Sequence, residues 1–315
     1  MGTQGTQGTQ GAQGAPGTPG EPGPQAAVHT YASTSRTAKT AAGLTLHYHE
    51  AGPQDRPDAP VVIMLHGGGP GASAWSNFGG NLPVFAEHFR TLLVDQVCFG
   101  RSDKPELDKD YFSYSADTVA ALMDELGIAQ AHFVGNSLGG GTSVRMALNH
   151  PGKVGKLVLM GPGGVSVNLF APDPTEGIKR LFEFNAAPEP TKDQLRAFLG
   201  VMAYDQSIVT DELVEERWAS ATDPETRLGN ARMGAAFADP ARQEDWMLWR
   251  EAHRITQPVL LTWGREDRVN PLDGALVALK TIPDARLHVF PHCGHWAQVE
   301  QADEFNRLAV DFFAH

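Results

Sequence analysis

The chain is poor in cysteine: two residues, Cys98 and Cys293, stand far apart in 315. That excludes a disulfide framework and a cysteine-rich metal site, and it fits a reducing cytoplasm, the location expected here. Long apolar runs are also missing. Val61–Leu65 and Leu157–Met160 are among the longest, against the roughly 20 residues a membrane span needs. No basic segment followed by an apolar one opens the sequence, so neither export nor a membrane partner is expected. Positive charge is scarce as well, with 25 Lys and Arg against 37 Asp and Glu, a net charge of -12, and no basic run. A phosphate backbone would be repelled, and no nucleic-acid partner is expected. The same deficit sets a problem for any anionic ligand. Salt screens the global field within about 8 Å, so an anion needs a local Arg or Lys.

Glycine, by contrast, is abundant, 34 residues in all, and eight of these recur at every third position from Gly2 to Gly23 beside Pro16, Pro19, Pro22 and Pro24. Residues 1–28 form a Gly-X-Y tail with too little apolar surface to build a core, and a disordered arm is expected there. A weak collagen-like trimerisation tag is the second reading of the same repeat. The remaining residues, about 290, suit one large α/β domain or two smaller ones.

Short apolar runs alternate with amphipathic stretches along this body. Strands are expected at Leu44–His49, Val61–Leu65, Thr91–Val94, His132–Val134, Leu157–Met160, Val259–Trp263 and Leu287–Phe290. Most are continuous apolar runs, the pattern of a parallel sheet buried on both faces. Helices are expected at Tyr114–Leu126, Gly141–Asn149, Leu272–Lys280 and Ala302–Phe313. The alternation breaks over residues 164–253, where helices alone are expected, at Thr175–Phe184, Thr191–Tyr204, Asp211–Ser220, Thr226–Phe237 and Pro240–His253. The reading is an α/β fold of residues 29–163 and 254–315, with a helical lid over the carboxyl edge of a mostly parallel sheet, where ligands of open α/β sheets bind.

The strongest chemical signal is Gly135-Asn136-Ser137-Leu138-Gly139, directly after an expected strand and opening an expected helix. A nucleophile on so tight a turn needs glycine on both flanks and is pushed out at the sheet edge, which singles out Ser137. Ser102 and Ser143 lack that context. A serine hydroxyl needs a base and an orienting carboxylate, here expected in the order Ser, Asp, His. His295, on a loop past the last strand, is the candidate base, with His292 its nearest rival and His66, His132 and His288 structural. Asp267, just beyond Trp263, is the candidate acid, with Glu266 and Asp273 as alternatives. His66-Gly67-Gly68-Gly69-Pro70-Gly71 follows another strand. Its glycines let backbone approach a reacting carbonyl, so Gly68 and Leu138 are the expected N–H donors of an oxyanion hole.

These motifs resemble the α/β-hydrolase superfamily, and within it the meta-cleavage product hydrolases, which hydrolyse a carbon-carbon bond in the dienoates of extradiol ring opening. The resemblance runs from about Ser33 to Phe313 and is carried by His66–Ala72, Trp75–Asn77, Gly135–Gly140, Leu159–Gly164, Phe170–Gly177, Trp263–Ala275 and Cys293–Trp296. Trp263–Ala275 and Asn168–Pro174 look most like the steroid-degrading branch, the 4,5:9,10-diseco-steroid hydrolases. The resemblance implies a Ser137, Asp267, His295 triad and no cofactor or metal. It also implies that Arg217 holds an anionic dienoate with Asn77, Asn136 and Trp296, and that copies assemble into a homo-oligomer. A single-ring or biphenyl-type substrate and a plain carboxylesterase are the competing readings, and a non-enzymatic receptor is a third. One departure stands out: Val97-Cys98 occupies a turn where relatives usually carry Pro-Gly.

Overall fold

The computed structural model describes residues 1–2 and 29–315; the rest of the Gly-X-Y tail, on which the disordered arm was expected, lies outside the described residues. Eight strands form one sheet: β1 (Ser35–Lys39), β2 (Thr45–Ala51), β3 (Val61–Leu65), β4 (Arg90–Val94), β5 (Ala131–Asn136), β6 (Val154–Met160), β7 (Val259–Gly264) and β8 (Ala285–Phe290). Their order is β1-β2-β4-β3-β5-β6-β7-β8. β2 runs antiparallel to both β1 and β4, and the other pairings are parallel.

The apolar runs read as strands divide their side chains between two cores. In β3, Ile63 and Leu65 enter one, while Val62 and Met64 enter the other; Leu157 and Leu159 of β6 part from Val158 and Met160 in the same way. Period-two alternation with both faces covered is what yields an unbroken apolar run. Helices Tyr111–Glu125 and Leu138–Asn149 cover the first face, and Ala74–Phe78, Leu82–Ala86 and Ala302–Ala314 cover the second. β1 escaped the sequence reading because Ser-Arg-Thr-Ala-Lys is a half-exposed polar edge with no apolar run.

After β3 the chain moves outward to β4, then returns past β3 to place β5 on its other side. That reversal opens a crevice between the carboxyl ends of β3 and β5. The glycine-rich loop leaves β3 there, and Ser137 leaves β5.

Between β6 and β7 the chain forms four helices, Glu176–Ala186, Lys192–Met202, Asp211–Ala221 and Pro224–Ala238. Thr175, Thr191, Thr210 and Asp223 cap them by accepting amide hydrogen bonds, and Thr191 with Gln194 forms a full capping box. The helix expected over Pro240–His253 is absent. Three short 3-10 turns replace it, closed by three-residue bonds such as Asp245 N to Arg242 O at 3.1 Å, and two contacts tie the segment to the body: Arg145 donates to Asp245 O, and Trp249 N donates to Gly164 O at 2.9 Å. Likewise Leu272–Lys280 divides into a turn, Leu272–Gly274, and a helix, Ala275–Thr281. The inserted helices share an apolar cluster with Val269 and Trp296, from the loops after β7 and β8. None of the described helices is long and apolar enough to cross a membrane.

Candidate active site

Ser137 is half-buried at the tip of β5 with a positive φ of 51° and ψ of -111°. A non-glycine residue in such a conformation costs about 1–3 kcal/mol, so its surroundings must fix it. They do: Ser137 N donates to Met160 O at 2.8 Å, and Ser137 O accepts from Gly141 N and Gly163 N at 3.0 and 2.8 Å. The flanking glycines are steric requirements. A Cβ on Gly139 would stand 2.0 Å from Leu65 O, and one on Gly135 would stand 2.5 Å from Gly139 O.

Asp267 follows β7, and its Oδ1 accepts from Val269 N and Asn270 N at 2.8 and 2.9 Å. Its Oδ2 lies 2.6 Å from His295 Nδ1, both side chains being buried. A carboxylate only accepts, so Nδ1 carries a proton and Nε2 is the ring nitrogen left to act on another group. That atom is buried and has no hydrogen-bond partner among the described residues. No hydrogen bond joins His295 to Ser137, but Asn136, immediately before Ser137, donates from Nδ2 to His295 O at 3.3 Å. Gly161, after β6, makes room for the pair, since a Cβ there would meet Asp267 Oδ2 and His295 Cε1 at 3.1 Å. Asn270 donates to Gly161 O at 2.6 Å and closes this side. Neither residue was singled out in the sequence, although Gly161 lies within the Leu159–Gly164 motif and Asn270 within Trp263–Ala275.

The rival residues are engaged elsewhere. His66 accepts Gln96 N at Nε2 and contacts Gly67 O through Nδ1, while burial pushes its pKa down. His132 is pushed down to about 4 by burial and stacks on Phe313. His288 faces Glu304, and His292 is exposed beside Tyr204. Glu266 accepts from Cys293 N, and Asp273 from Leu169 N and Phe170 N.

The glycine-rich loop packs against the turn that carries Ser137. A Cβ on Gly67 would lie 3.5 Å from Ser137 Cβ, and one on Gly68 would lie 3.0 Å from Leu138 Cδ2. Leu138 opens its helix, so its N–H lacks an intrahelical acceptor. Asn77 Oδ1 accepts Gly67 N at 3.2 Å, which gives this asparagine a hold on the loop.

Arg217 reaches the far end of the same loop. Its Nε and Nη2 donate to Pro70 O at 3.0 and 2.8 Å, and its Cζ stands 6.0 Å over the Trp296 ring. The residue is 3% exposed and has no ion pair among the described residues. Burial pushes its pKa down to about 10, which leaves it charged at neutral pH. Three of its five N–H donors are free of Pro70. A buried cation without a carboxylate is costly, and an anionic ligand would relieve that cost.

Cys98 adopts a φ of 75° and is fully buried. Burial pushes its thiol up to about 11, so it is no nucleophile at neutral pH. Two open spaces flank the insert. A groove of about 700 Å³ along Arg180, Arg196 and Arg268 touches none of the candidate residues. A cleft of about 510 Å³ beside Tyr204 runs up to Asp267. Neither space is lined by Ser137, His295 or Arg217.

Residues 60–302 match the alpha/beta hydrolase fold family. The chain is 44% identical over 288 residues to 2-hydroxy-6-oxo-6-phenylhexa-2,4-dienoate hydrolase of Comamonas testosteroni, covering 90% of this chain and 97% of the relative. It is equally 44% identical over 271 residues to the 2-hydroxy-6-oxononadienedioate/2-hydroxy-6-oxononatrienedioate hydrolase of that organism, covering 86% and 91%. A solved meta-cleavage product hydrolase from Pseudomonas fluorescens IP01 superimposes with a TM-score of 0.78 at 34% identity, covering 90% of this chain and 98% of that one.

Proposed function

The chain belongs to the α/β-hydrolase family and, within it, to the meta-cleavage product hydrolases, which act on carbon-carbon bonds; from that membership we propose that Ser137, His295 and Asp267 hydrolyse a 2-hydroxy-6-oxo-dienoate. The observation that carries the substrate class is Arg217, a buried guanidinium with no carboxylate partner among the described residues, bonded to Pro70 O two residues along the loop from Gly68, which packs on the Ser137 turn.

Carbon is a poor leaving group, so the dienol must first ketonise, moving its hydroxyl proton to carbon and creating an electron sink next to the scissile bond. Arg217 holds the carboxylate end, with Asn77, Asn136 and Trp296 around it, and stabilises the developing dienolate. A charge-assisted contact of this kind contributes about 1.5–3 kcal/mol. His295 Nε2 then takes the Ser137 hydroxyl proton while Oγ adds to the C6 carbonyl. The Gly68 and Leu138 N–H groups receive the oxyanion, each donor being worth roughly 10²–10³ in rate. Collapse breaks the carbon-carbon bond, the dienolate fragment takes a proton, and water cleaves the acyl ester on Ser137. The inserted helices act as the lid that keeps bulk water from these steps.

Within the class we propose a diseco-steroid dienoate, on the resemblance of Trp263–Ala275 and Asn168–Pro174 to that branch. The relatives named for 6-phenyl and nonadienedioate substrates support the shared dienoate portion and make a single-ring substituent the second reading. A dienolate is yellow, so turnover is read as bleaching. Wild-type protein is expected to bleach a ring-opened catechol, and Ser137→Ala to lose at least 10³-fold of that rate. Fast hydrolysis of simple esters with no bleaching would instead make the chain an esterase. Comparing kcat/KM for the diseco-steroid and the 6-phenyl dienoate tests the finer reading, which a preference for the phenyl compound overturns.

A further inference from the structure

Glu300 is a half-buried carboxylate that none of the steps above uses, and it accepts hydrogen bonds from two parts of the chain at once. Its Oε1 receives Gly294 N at 2.7 Å, immediately before His295. Its Oε2 receives Tyr204 N and Asp205 N at 2.7 and 2.9 Å, just past the inserted helix Lys192–Met202. The same two segments meet again where His295 N donates to Met202 O at 2.7 Å. They are also pressed together, since a Cβ on Gly294 would stand 2.6 Å from Met202 O. Trp296 packs in one apolar cluster with Leu199 and Met202. The loop that carries the imidazole is therefore held from two sides, by Asp267 at Nδ1 and by the insert through Glu300.

We propose that Glu300 is a positioning residue that joins the insert to the His295 loop, so that His295 Nε2 is aimed at Ser137 only while the insert is seated. The inference rests on His295 being the base of the reaction proposed above. Two amide donors on one oxygen and a third on the other require an acceptor-only group, which an ionised carboxylate is and an amide is not. Glutamine at this position would turn an N–H₂ toward backbone N–H groups on one side and release either the insert or the histidine loop. Misplacement of a reacting group by about 1 Å costs on the order of 10² in rate.

The test compares Glu300→Gln and Glu300→Ala with wild type in steady-state bleaching of the 6-phenyl dienoate and in hydrolysis of 4-nitrophenyl acetate. Both variants are checked by circular dichroism for folding at 25 °C. The expected result is a 10- to 100-fold fall in kcat on both substrates with KM within threefold, in folded protein. Unchanged kcat, or a rise in KM alone, overturns the proposal, because the carboxylate would then serve binding or the scaffold. Failure of both variants to fold also overturns it and leaves Glu300 a structural tie. The ester arm keeps the two readings apart: a wild type that cleaves the ester but bleaches no dienoate refutes the dienoate function and still scores Glu300.

Discussion

At the scale of single residues, the geometry turns on groups whose surroundings make them expensive. Arg217 is the clearest: Arg217→Ala should lower kcat/KM for dienoates by about 10- to 100-fold, the equivalent of one charge-assisted contact. Hydrolysis of 4-nitrophenyl acetate, which has no carboxylate, should fall by less than threefold, and equal losses would remove Arg217 from the anion site. Cys98 poses a second test. The turn holds it at a φ of 75°, so Cys98→Gly relieves backbone strain while deleting buried atoms, and Cys98→Ala deletes sulfur and keeps the strain. Urea unfolding should rank Cys98→Ala the less stable by about 1 kcal/mol, although it retains one more carbon. Glycine neighbours made Ser137 legible in the sequence, because sterics leave no other residue at Gly135 and Gly139. The depth of Arg217 was not legible, because its partner Pro70 O is 147 residues away and a carbonyl leaves no mark on the sequence.

At the scale of elements, the parallel strands could be read because burial on both faces writes itself as a continuous apolar run. The edge strand β1 and the Pro240–His253 segment could not, one being polar and the other broken into three-residue turns, with Asp245 O accepting from Arg145 and Trp249 N donating to Gly164 O. The glycine-rich loop after β3 shows how closely elements approach at the crevice. Gly71 has a φ of 64°, and a Cβ there would lie 2.4 Å from Arg217 O in the third inserted helix. Gly71→Ala should therefore push that helix away, destabilise the fold by about 2 kcal/mol or more, and raise KM for dienoates. Differential scanning calorimetry with steady-state kinetics checks both, and unchanged KM would separate the loop from the anion site.

At the scale of the whole molecule, two histidines outside the site are expected to lower stability on the acid side. His49 is fully buried with Nε2 unpartnered, and burial followed by the nearby His47 pushes its pKa down to about 4; burial and Lys156 do the same to His132. The unfolded chain binds protons at these sites near pH 6.5, before the folded one does, so stability present above that pH is lost as pH falls toward 4. His49 alone contributes about 3 kcal/mol of this loss. Urea midpoints measured from pH 7.5 to 4.5 should decline accordingly, and His49→Phe should flatten the decline; an unaltered slope would contradict the assignment.

The hydrogen bond from Trp249 N to Gly164 O has a consequence for the history of such chains. It closes the inserted helices at their base, so the 84 residues between these two positions leave and rejoin the molecule at one point. Changing the length of a segment so closed costs little, about 0.6 kcal/mol for each doubling, and leaves the register of β6 and β7 untouched. A replacement insert would still have to supply the Met202, Tyr204 and Asp205 contacts to Glu300 and the His295 loop. Exchanging the cap between relatives at Gly164 and Trp249 is the cut along which this protein divides.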